Sequence, residues 1–472
     1  MTGDRDVDVV VIGSGGAGLC AALTAHDQGA TRIVVAESEG VVGGSSRLSG
    51  GLVMGTPTRY QTALGIEDSA DALYHDYLQL NRWTVDAPIV RRLCDWSGPT
   101  VEWLGDLGVE FHEQLVLGGD ELVPRVHVPK GSGQAIVDVL HRHCRERGID
   151  IALGQRVDRL LVDADGVYGV AVGDDEITAH AVIIATGGFG ASPDKLAEHY
   201  PSAAATEWTW YIGADGAQGD AIDLGRQVGA QLTGHDRGLR LLDVGFDRVY
   251  EAFLPGWLVM VDRTGHRFIA ETAPYGLLDF AVRDKGDSVF VVFDHAALHG
   301  TADGSWTKAI PGHGGRPSKH WNPDVVEMMI GAGRVQRADS LGELAGSLGV
   351  PAEALAGTID RYNAGAEAGE DPQCAKDPAM MLAVATPPFY GAELRPATVC
   401  STAYGLRITA DAEVLDIADR PIPGLYAAGE CTGNVVGAQY VGSGNNYANC
   451  TVVGRIAGTA AAGRVAATAA PA

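Results

Sequence analysis

The chain of 472 residues has no apolar run approaching the roughly 18 that a membrane-spanning helix needs, so no membrane insertion is expected. Its opening segment, MTGDRDVDVVVIG, lacks the basic start and apolar stretch of a signal peptide. Basic residues are scarce: 35 Lys and Arg stand against 60 Asp and Glu, a formal charge of −25. That field repels phosphate backbones and anionic lipid, which argues against nucleic acid as a partner. The seven cysteines, Cys20, Cys94, Cys144, Cys374, Cys400, Cys431 and Cys450, form no C-x-x-C pair. An odd, scattered set predicts reduced thiols and a cytoplasmic setting, with no disulfide framework and no metal or iron–sulfur site. Hydrophobic residues are 46% and charged residues 20% of the chain, a globular composition. At roughly 100–200 residues per domain the length predicts two to four domains.

Glycine is what the chain has in excess. Most of the 64 sit in short clusters, where backbone turns sharply or approaches something closely. Residues 7–12 (VDVVVI) form an apolar run suited to a parallel strand buried on both faces. The turn Gly13-Ser14-Gly15-Gly16-Ala17-Gly18 follows, then a helical stretch Leu19–Gln28 and a second strand, Ile33–Ala36, ending at Glu37. Gly13, Gly15 and Gly18 occupy the G-x-G-x-x-G positions, and Glu37 lies 19 residues beyond, where an acid can bind a ribose hydroxyl. The order strand, glycines, helix, strand, acid predicts a dinucleotide site at the helix N-terminus. Further apolar strands end in glycine at Ala181–Gly188 and Gly424–Glu430, with a helix expected from about Asn445 to Gly458 and a fraying Ala-rich tail after it. The expected fold is α/β. A Rossmann-like nucleotide domain, split in sequence over 1–235 and 398–472, carries an inserted α+β catalytic or capping domain at 236–397. The insertion includes a strand-like Ser288–Phe293 and an amphipathic stretch over Leu341–Tyr362.

Four blocks, AESEGVVGGSSRLSGG, the ATGG strand, GHRFIAE and PIPGLYAAGE, resemble flavoproteins of the fumarate reductase and succinate dehydrogenase superfamily. The resemblance covers most of the chain, with the blocks in the family order, and it implies FAD rather than NAD. By it, Gly13, Gly15, Gly16, Ala17 and Gly18 would meet the pyrophosphate, with Glu37 and Ser38 on the ribose. Gly44, Ser45, Ser46, Gly50, Gly51 and Val157 would line the same cofactor. So would Thr186, Gly187, Gly188, Gly429, Gly444, Asn445 and Asn446, with Gly43, Gly44, Ser45, Ser46 and Glu430 falling at flavin and ribityl. Covalent members carry a histidine just before the second glycine pair. Ser45-Ser46-Arg47-Leu48-Ser49 has none, which implies noncovalent FAD.

The substrate positions differ from those of fumarate reductases. The family's proton-donating arginine follows its R-F-x-x-E segment; here Arg267–Glu271 is followed by Thr272-Ala273-Pro274-Tyr275. A second arginine, in a G-A-N-R-L-G-G loop, is Tyr440 in Gly437-Ala438-Gln439-Tyr440-Val441-Gly442, and a histidine becomes Ser401. A dicarboxylate without these partners would be costly to desolvate. The E-x-x-P-Y arrangement and the Y-x-G-x-G loop (Tyr440–Gly444) resemble instead the 3-ketosteroid Δ1-dehydrogenases, which desaturate a ring ketone between its α and β carbons. That resemblance implies Tyr275 as the base for the α proton, with the Tyr440 hydroxyl and the Gly444 N–H holding the ketone oxygen. Such donors contribute about 2.7–4 kcal/mol each to the developing enolate.

An ordinary tyrosine titrates at about 10, so Tyr275 would need a depressed pKa or a second hydroxyl to relay its proton. The family's relay tyrosine has no clear counterpart in residues 112–134, and Tyr404, Tyr447 and His127 are the alternatives. Tyr404 could equally be a wall of the pocket. The cluster Trp208-Trp210-Tyr211 reads as core or pocket lining, and the segment PGHGGRPSKH, with His313 and His320, as a lid. The expected substrate is a 3-oxosteroid or a smaller cyclohexanone-type ring such as 4-oxocyclohexanecarboxylate, whose carboxylate would need Lys130 or Arg395. The reverse reaction, an ene-reductase, and a non-catalytic flavin carrier are the competing readings. No motif names the electron acceptor; a soluble carrier and oxygen both stay open.

Overall fold

Val9, Val10 and Val11 have no exposed surface, as a strand covered on both faces requires. Their strand, β1 (Val7–Ile12), pairs in parallel with β2 (Ile33–Glu37), Val10 opposite Val34. Beyond β2 lies β3 (Asp150–Leu153). On the other side β1 pairs with β4 (Asp175–Ile184), Val10 opposite Val182. Two later strands, β5 (Glu413–Leu415) and β6 (Pro421–Ala427), complete the order β5-β6-β4-β1-β2-β3, with β6 parallel to β4 and β5 antiparallel at the edge. The structure, a computed structural model, describes residues 5–119, 123–300 and 318–469.

The parallel register brings four strand ends level. Ile12 stands opposite Ala36 and Ile184, and Ala427 opposite Ile184. The glycine turns after β1, β4 and β6, and the acid closing β2, therefore emerge along one edge, the carboxyl edge where open parallel sheets bind ligands. Helix α1 (Gly16–Asp27) is buried from Gly16 through Ala25, so it is covered all round rather than amphipathic. Its small residues admit the last helix, Gly454–Ala469, and a Cβ at Gly458 would strike the Ala21 carbonyl. The tail expected to fray after Gly458 thus continues as helix, with Ala461 and Ala462 buried. The helix expected over Asn445–Gly458 is interrupted by a π-turn at Asn449–Val453, after a short helix Asn445–Ala448.

The chain divides into two compact units. One comprises Met1–Ala205, Gly213–Gly238 and Cys400–Ala472, the other Thr206–Ile212 and Leu239–Val399. The second unit takes Thr206–Ile212, ahead of the 236–397 span expected, because Trp210–Tyr211 pairs in parallel with Thr398–Val399. Trp210 Nε1 also donates to Asp243 at 2.9 Å, and Trp208 lies under the guanidinium groups of Arg334 and Arg395. In that unit Val289–Asp294 pairs antiparallel with Phe389–Thr402 and with Val259–Val261. Phe293 anchors its core, stacked on Tyr390 and edge-on to Trp257 and Trp321. The stretch Leu341–Tyr362 is two helices, Leu341–Leu348 and Ala352–Ala368, because Gly349 takes a left-handed cap and Pro351 precedes the second. His313 lies outside the described residues. His320 places Nε2 2.9 Å from Asp247 Oδ1.

Candidate functional site

The first turn of α1 lies so close to the end of β1 that a Cβ at Gly18 would overlap the Gly13 carbonyl oxygen. Only glycine permits that approach. Glu37, buried at the end of β2, organises the turn. Its Oε2 accepts from Ser14 N–H (2.9 Å) and Ser14 Oγ (2.6 Å), and its Oε1 from Glu39 N–H (2.8 Å) and Ser38 Oγ (3.3 Å). A second helix, α2 (Gly44–Leu48), is drawn to the same place: Gly43 N–H donates to Ser14 Oγ, and Gly16 N–H to Ser46 Oγ at 2.9 Å. Neither helix has an acid in its first turn, so two positive N-terminal ends converge beside Ala17. Gly50 and Gly51 follow α2, with Gly51 N–H on Ser49 Oγ, and Val157 is buried after β3.

Sequence reading passed over a further glycine cluster, Gly213–Gly219, although its composition marks it. Ala214 N–H donates to Ser45 Oγ at 3.0 Å and Gly216 N–H to Glu39 Oε1 at 2.9 Å, which ties that loop to β2 and α2. After β4 come Thr186, Gly187 and Gly188, and a Cβ at Gly188 would overlap the Glu430 carboxylate. Glu430 Oε1 accepts from Thr402 N–H and Oγ1, and burial raises its carboxyl to about 6 against those two bonds. Gly429 gives its carbonyl to Asn449 Nδ2 at 3.2 Å. Several buried polar atoms have no protein partner among the described residues: Glu39 Oε2, Thr186 Oγ1, Asn445 Nδ2 and Asn449 Oδ1. Each such atom costs about 1–3 kcal/mol unless something else satisfies it. Convergent helix ends, acid-capped strand and orphaned polar atoms fit a bound dinucleotide.

Residues 432–444, between the turn Gly429–Cys431 and the helix Asn445–Ala448, carry Tyr440. The Tyr440 hydroxyl accepts from Asn446 N–H at 3.4 Å. That bond occupies a lone pair and polarises the O–H for donation. Gly444 caps the short helix at φ 85°, its carbonyl accepting from Met54 N–H (3.2 Å) and Ala448 N–H (2.9 Å). A Cβ there would lie 2.7 Å from Met54 N, so no other residue fits.

Tyr275 belongs to the other unit, where it opens the helix Tyr275–Asp284 after Pro274 and meets Phe253 edge-on at 5.4 Å. The approach to it is anchored by a buried ion cluster that sequence reading missed. Arg267 pairs with Glu271 (3.0 Å) and Asp371 (2.9 Å), and Lys376 with Glu271 (2.8 Å), with both cations over the Tyr362 ring. Two cations balance two anions, and Glu271 Oε1 also accepts from Met260 N–H.

The three candidate relay groups lie in the nucleotide unit, each with protein partners of its own. Tyr404 stacks on His199 at 4.5 Å, and burial raises its hydroxyl pKa. Tyr447 is buried with its hydroxyl on the Gly133 carbonyl, and its pKa is likewise pushed well up. His127 has no exposed surface, lies between Thr58 Oγ1 (3.0 Å) and the Val53 carbonyl (3.3 Å), and is driven down to about 4 by burial. The two suggested carboxylate partners are also engaged: Lys130 with Glu110, Arg395 with Glu393 and Glu207.

Residues 8–446 match the family model described as an FAD binding domain. A probable fumarate reductase of Shewanella frigidimarina is 32% identical over 467 residues, spanning 96% of this chain and 74% of that protein. The chain belongs to the FAD-binding fumarate reductase family. It is an FAD-dependent oxidoreductase of the class acting on C=C and CH–CH groups. Among solved structures it resembles the 3-ketosteroid-Δ4-(5α)-dehydrogenase of Rhodococcus jostii, with 26% identity, TM-score 0.78 and 97% of each chain covered. The 3-ketosteroid Δ1-dehydrogenase of Sterolibacterium denitrificans shares the fold at 19% identity and TM-score 0.81, covering 98% of this chain and all of that one. No described helix is long and apolar enough to cross a membrane.

Proposed function

We propose that this flavoprotein desaturates a ring ketone between its α and β carbons. The observation that carries the reading is the Tyr440 hydroxyl, held on Asn446 N–H in a loop with no lysine or arginine anywhere from Thr432 to Asn449. The segment from Phe268 to Val282 around Tyr275 has none either. A dicarboxylate would find no cation in either stretch, whereas a ketone oxygen asks only for hydrogen-bond donors.

In this proposal the ketone oxygen accepts from the Tyr440 hydroxyl and the Gly444 N–H. Both donors strengthen their bonds as negative charge gathers on that oxygen, which acidifies the α carbon. Tyr275, acting as its tyrosinate, then takes the α proton and is left as the neutral phenol. Bound FAD supplies the acceptor for the electron pair and the hydrogen leaving the β carbon. Glu37, Ser46 and the converging ends of α1 and α2 would hold the cofactor without covalent attachment. The same donors would serve the reverse reaction, saturation of a C=C conjugated to a carbonyl, and the reductase relative favours keeping that direction as the second reading.

The test is anaerobic titration of the holoprotein with cyclohexanone, 4-oxocyclohexanecarboxylate and 4-androstene-3,17-dione, with succinate as control, following flavin absorbance. Bleaching by a ketone and not by succinate is expected. Comparable bleaching by succinate would overturn the assignment. Oxidation of the chemically reduced flavin by an enone, without bleaching by any ketone, would select the reverse direction.

A further inference from the structure

The geometry points to Asn81 as a positioning residue for ketone binding, with Tyr77 as its partner; the inference rests on the role given above to Tyr440. Both sit on α3 (Ala70–Leu80) and its C-cap, one turn apart, and both are almost wholly buried. The loop that carries Tyr440 has no strand or helix of its own between Thr432 and Gly444. Its backbone polar groups must be satisfied from elsewhere, and α3 does this. Asn81 Oδ1 accepts from the N–H of Gln439, the residue immediately before Tyr440, at 3.0 Å. Its Nδ2 donates to the Tyr77 carbonyl at 3.2 Å, so both ends of the amide are committed and it cannot turn over without losing both bonds. The Tyr77 hydroxyl lies 2.8 Å from the Val435 carbonyl and 3.1 Å from Asn445 Oδ1. Asp86 N–H adds a bond to the Asn434 carbonyl at 3.1 Å.

The far limb of the loop is held separately. Gly442 bridges Gly119, and Ser443 N–H donates to the Gly118 carbonyl at 2.5 Å. Tyr440 therefore stands between two fixed points, Gln439 N–H on Asn81 and Gly442–Ser443 on the glycine pair. Its hydroxyl also accepts a 3.4 Å bond from Asn446 N–H, a long bond that a small displacement would weaken. Loss of the Asn81 contact would release the peptide unit between Ala438 and Gln439, one residue ahead of Tyr440, while Glu37, Ser46 and Glu430 would keep their protein partners. Asn81 thus acts through Tyr440 and touches no reacting atom.

A double-mutant cycle separates this from general scaffolding. Asn81→Ala, Tyr440→Phe and the double variant are compared for FAD content, and for α-deuterium washout from whichever of cyclohexanone or 4-androstene-3,17-dione bleaches the flavin. Asn81→Ala should keep its FAD and lose about fivefold in washout, the rate equivalent of one hydrogen bond of roughly 1 kcal/mol. In the Tyr440→Phe background the same change should cost less than about twofold, because the group it positions is already gone. Equal losses in both backgrounds would mean that Asn81 only scaffolds the unit, and would overturn the inference. If Tyr440→Phe alone leaves washout untouched, the ketone role of Tyr440 fails, and this inference fails with it for that separate reason. Should Asn81→Ala not fold or not hold FAD, Tyr77→Phe, which removes a single hydroxyl, runs the same cycle against the same criterion.

Discussion

At the residue scale the question is which hydroxyl does what. Tyr275→Phe removes one oxygen from a side chain that packs on Phe253, so folding and FAD content should survive. Washout of α deuterium and single-turnover flavin reduction should both fall by roughly 10²–10⁴, the contribution of a placed base. Rates near those of the unaltered protein would assign proton abstraction to another group. Tyr440→Phe should instead cost about 2.7–4 kcal/mol of transition-state stabilisation, with Gly444 still present as the second donor. His127 allows a prediction about acid. Its imidazole titrates at about 4 in the folded chain, below the ordinary value of about 6.5, because burial disfavours the charged form. Between those values the unfolded chain binds the extra proton and the folded chain does not. Stability from this group is therefore complete above pH 6.5 and is lost as pH falls towards 4, by about 3 kcal/mol. Denaturant unfolding of the wild-type chain and of His127→Gln at pH 7 and pH 4 checks this. The advantage of the wild type should shrink by about that amount at the lower pH, and an unchanged difference would refute it.

At the scale of elements, the contact between α1 and α2 is the one to test. Ser46→Ala deletes the acceptor for Gly16 N–H, one of the ties between the two helix starts, and leaves the Gly43–Ser14 bond in place. One hydrogen bond of this kind predicts roughly 3- to 10-fold weaker FAD binding, measured by reconstituting the apoprotein under fluorescence. Unaltered affinity would show that the two helix ends hold the cofactor independently. These elements are also the ones that show in the sequence. VDVVVI, AVIIATGG and GLYAA read as buried parallel strands because both their faces are covered and no polar alternation survives. The glycines after them follow from close approach, which leaves a local mark. Other features leave none. The bond from Gln439 to Asn81 joins residues 358 positions apart, and Lys376 meets Glu271 across 105. Nothing in the neighbourhood of either partner signals the other. The π-turn at Asn449–Val453 is equally silent, since one added residue in a helical turn changes the hydrogen-bond pattern and not the composition. For the same reason the bond that ties Gly216 to Glu39 was invisible while the glycines of that cluster were plain.

For the molecule as a whole, bound cofactor should act as a stabilising ligand of the nucleotide unit. FAD at about 100 times its dissociation constant would raise stability by roughly 2.7 kcal/mol if it binds only the folded chain. Melting temperature measured over a series of FAD concentrations should rise progressively, and a flat series would mean that the cradle is not completed by the cofactor. Mild acid denaturation should also release the flavin into the supernatant, since no histidine stands in Ser45–Ser49 to retain it. Flavin left in the precipitate would contradict the noncovalent reading.

The position of β6 has a consequence for how the chain is made. It lies against β4, yet it is drawn from residues 421–427. A ribosome making this polypeptide in order has therefore synthesised β4 and everything from it through Arg420 before the strand that closes its far side exists. Throughout that interval β4 carries an uncovered edge of Val182, Ile183 and Ile184, the kind of apolar template that recruits other chains. Gly429 and Glu430 arrive later still. Nascent chains stalled short of Pro421 should accordingly be colourless and captured by holding chaperones, and flavin should be acquired only once Glu430 has emerged.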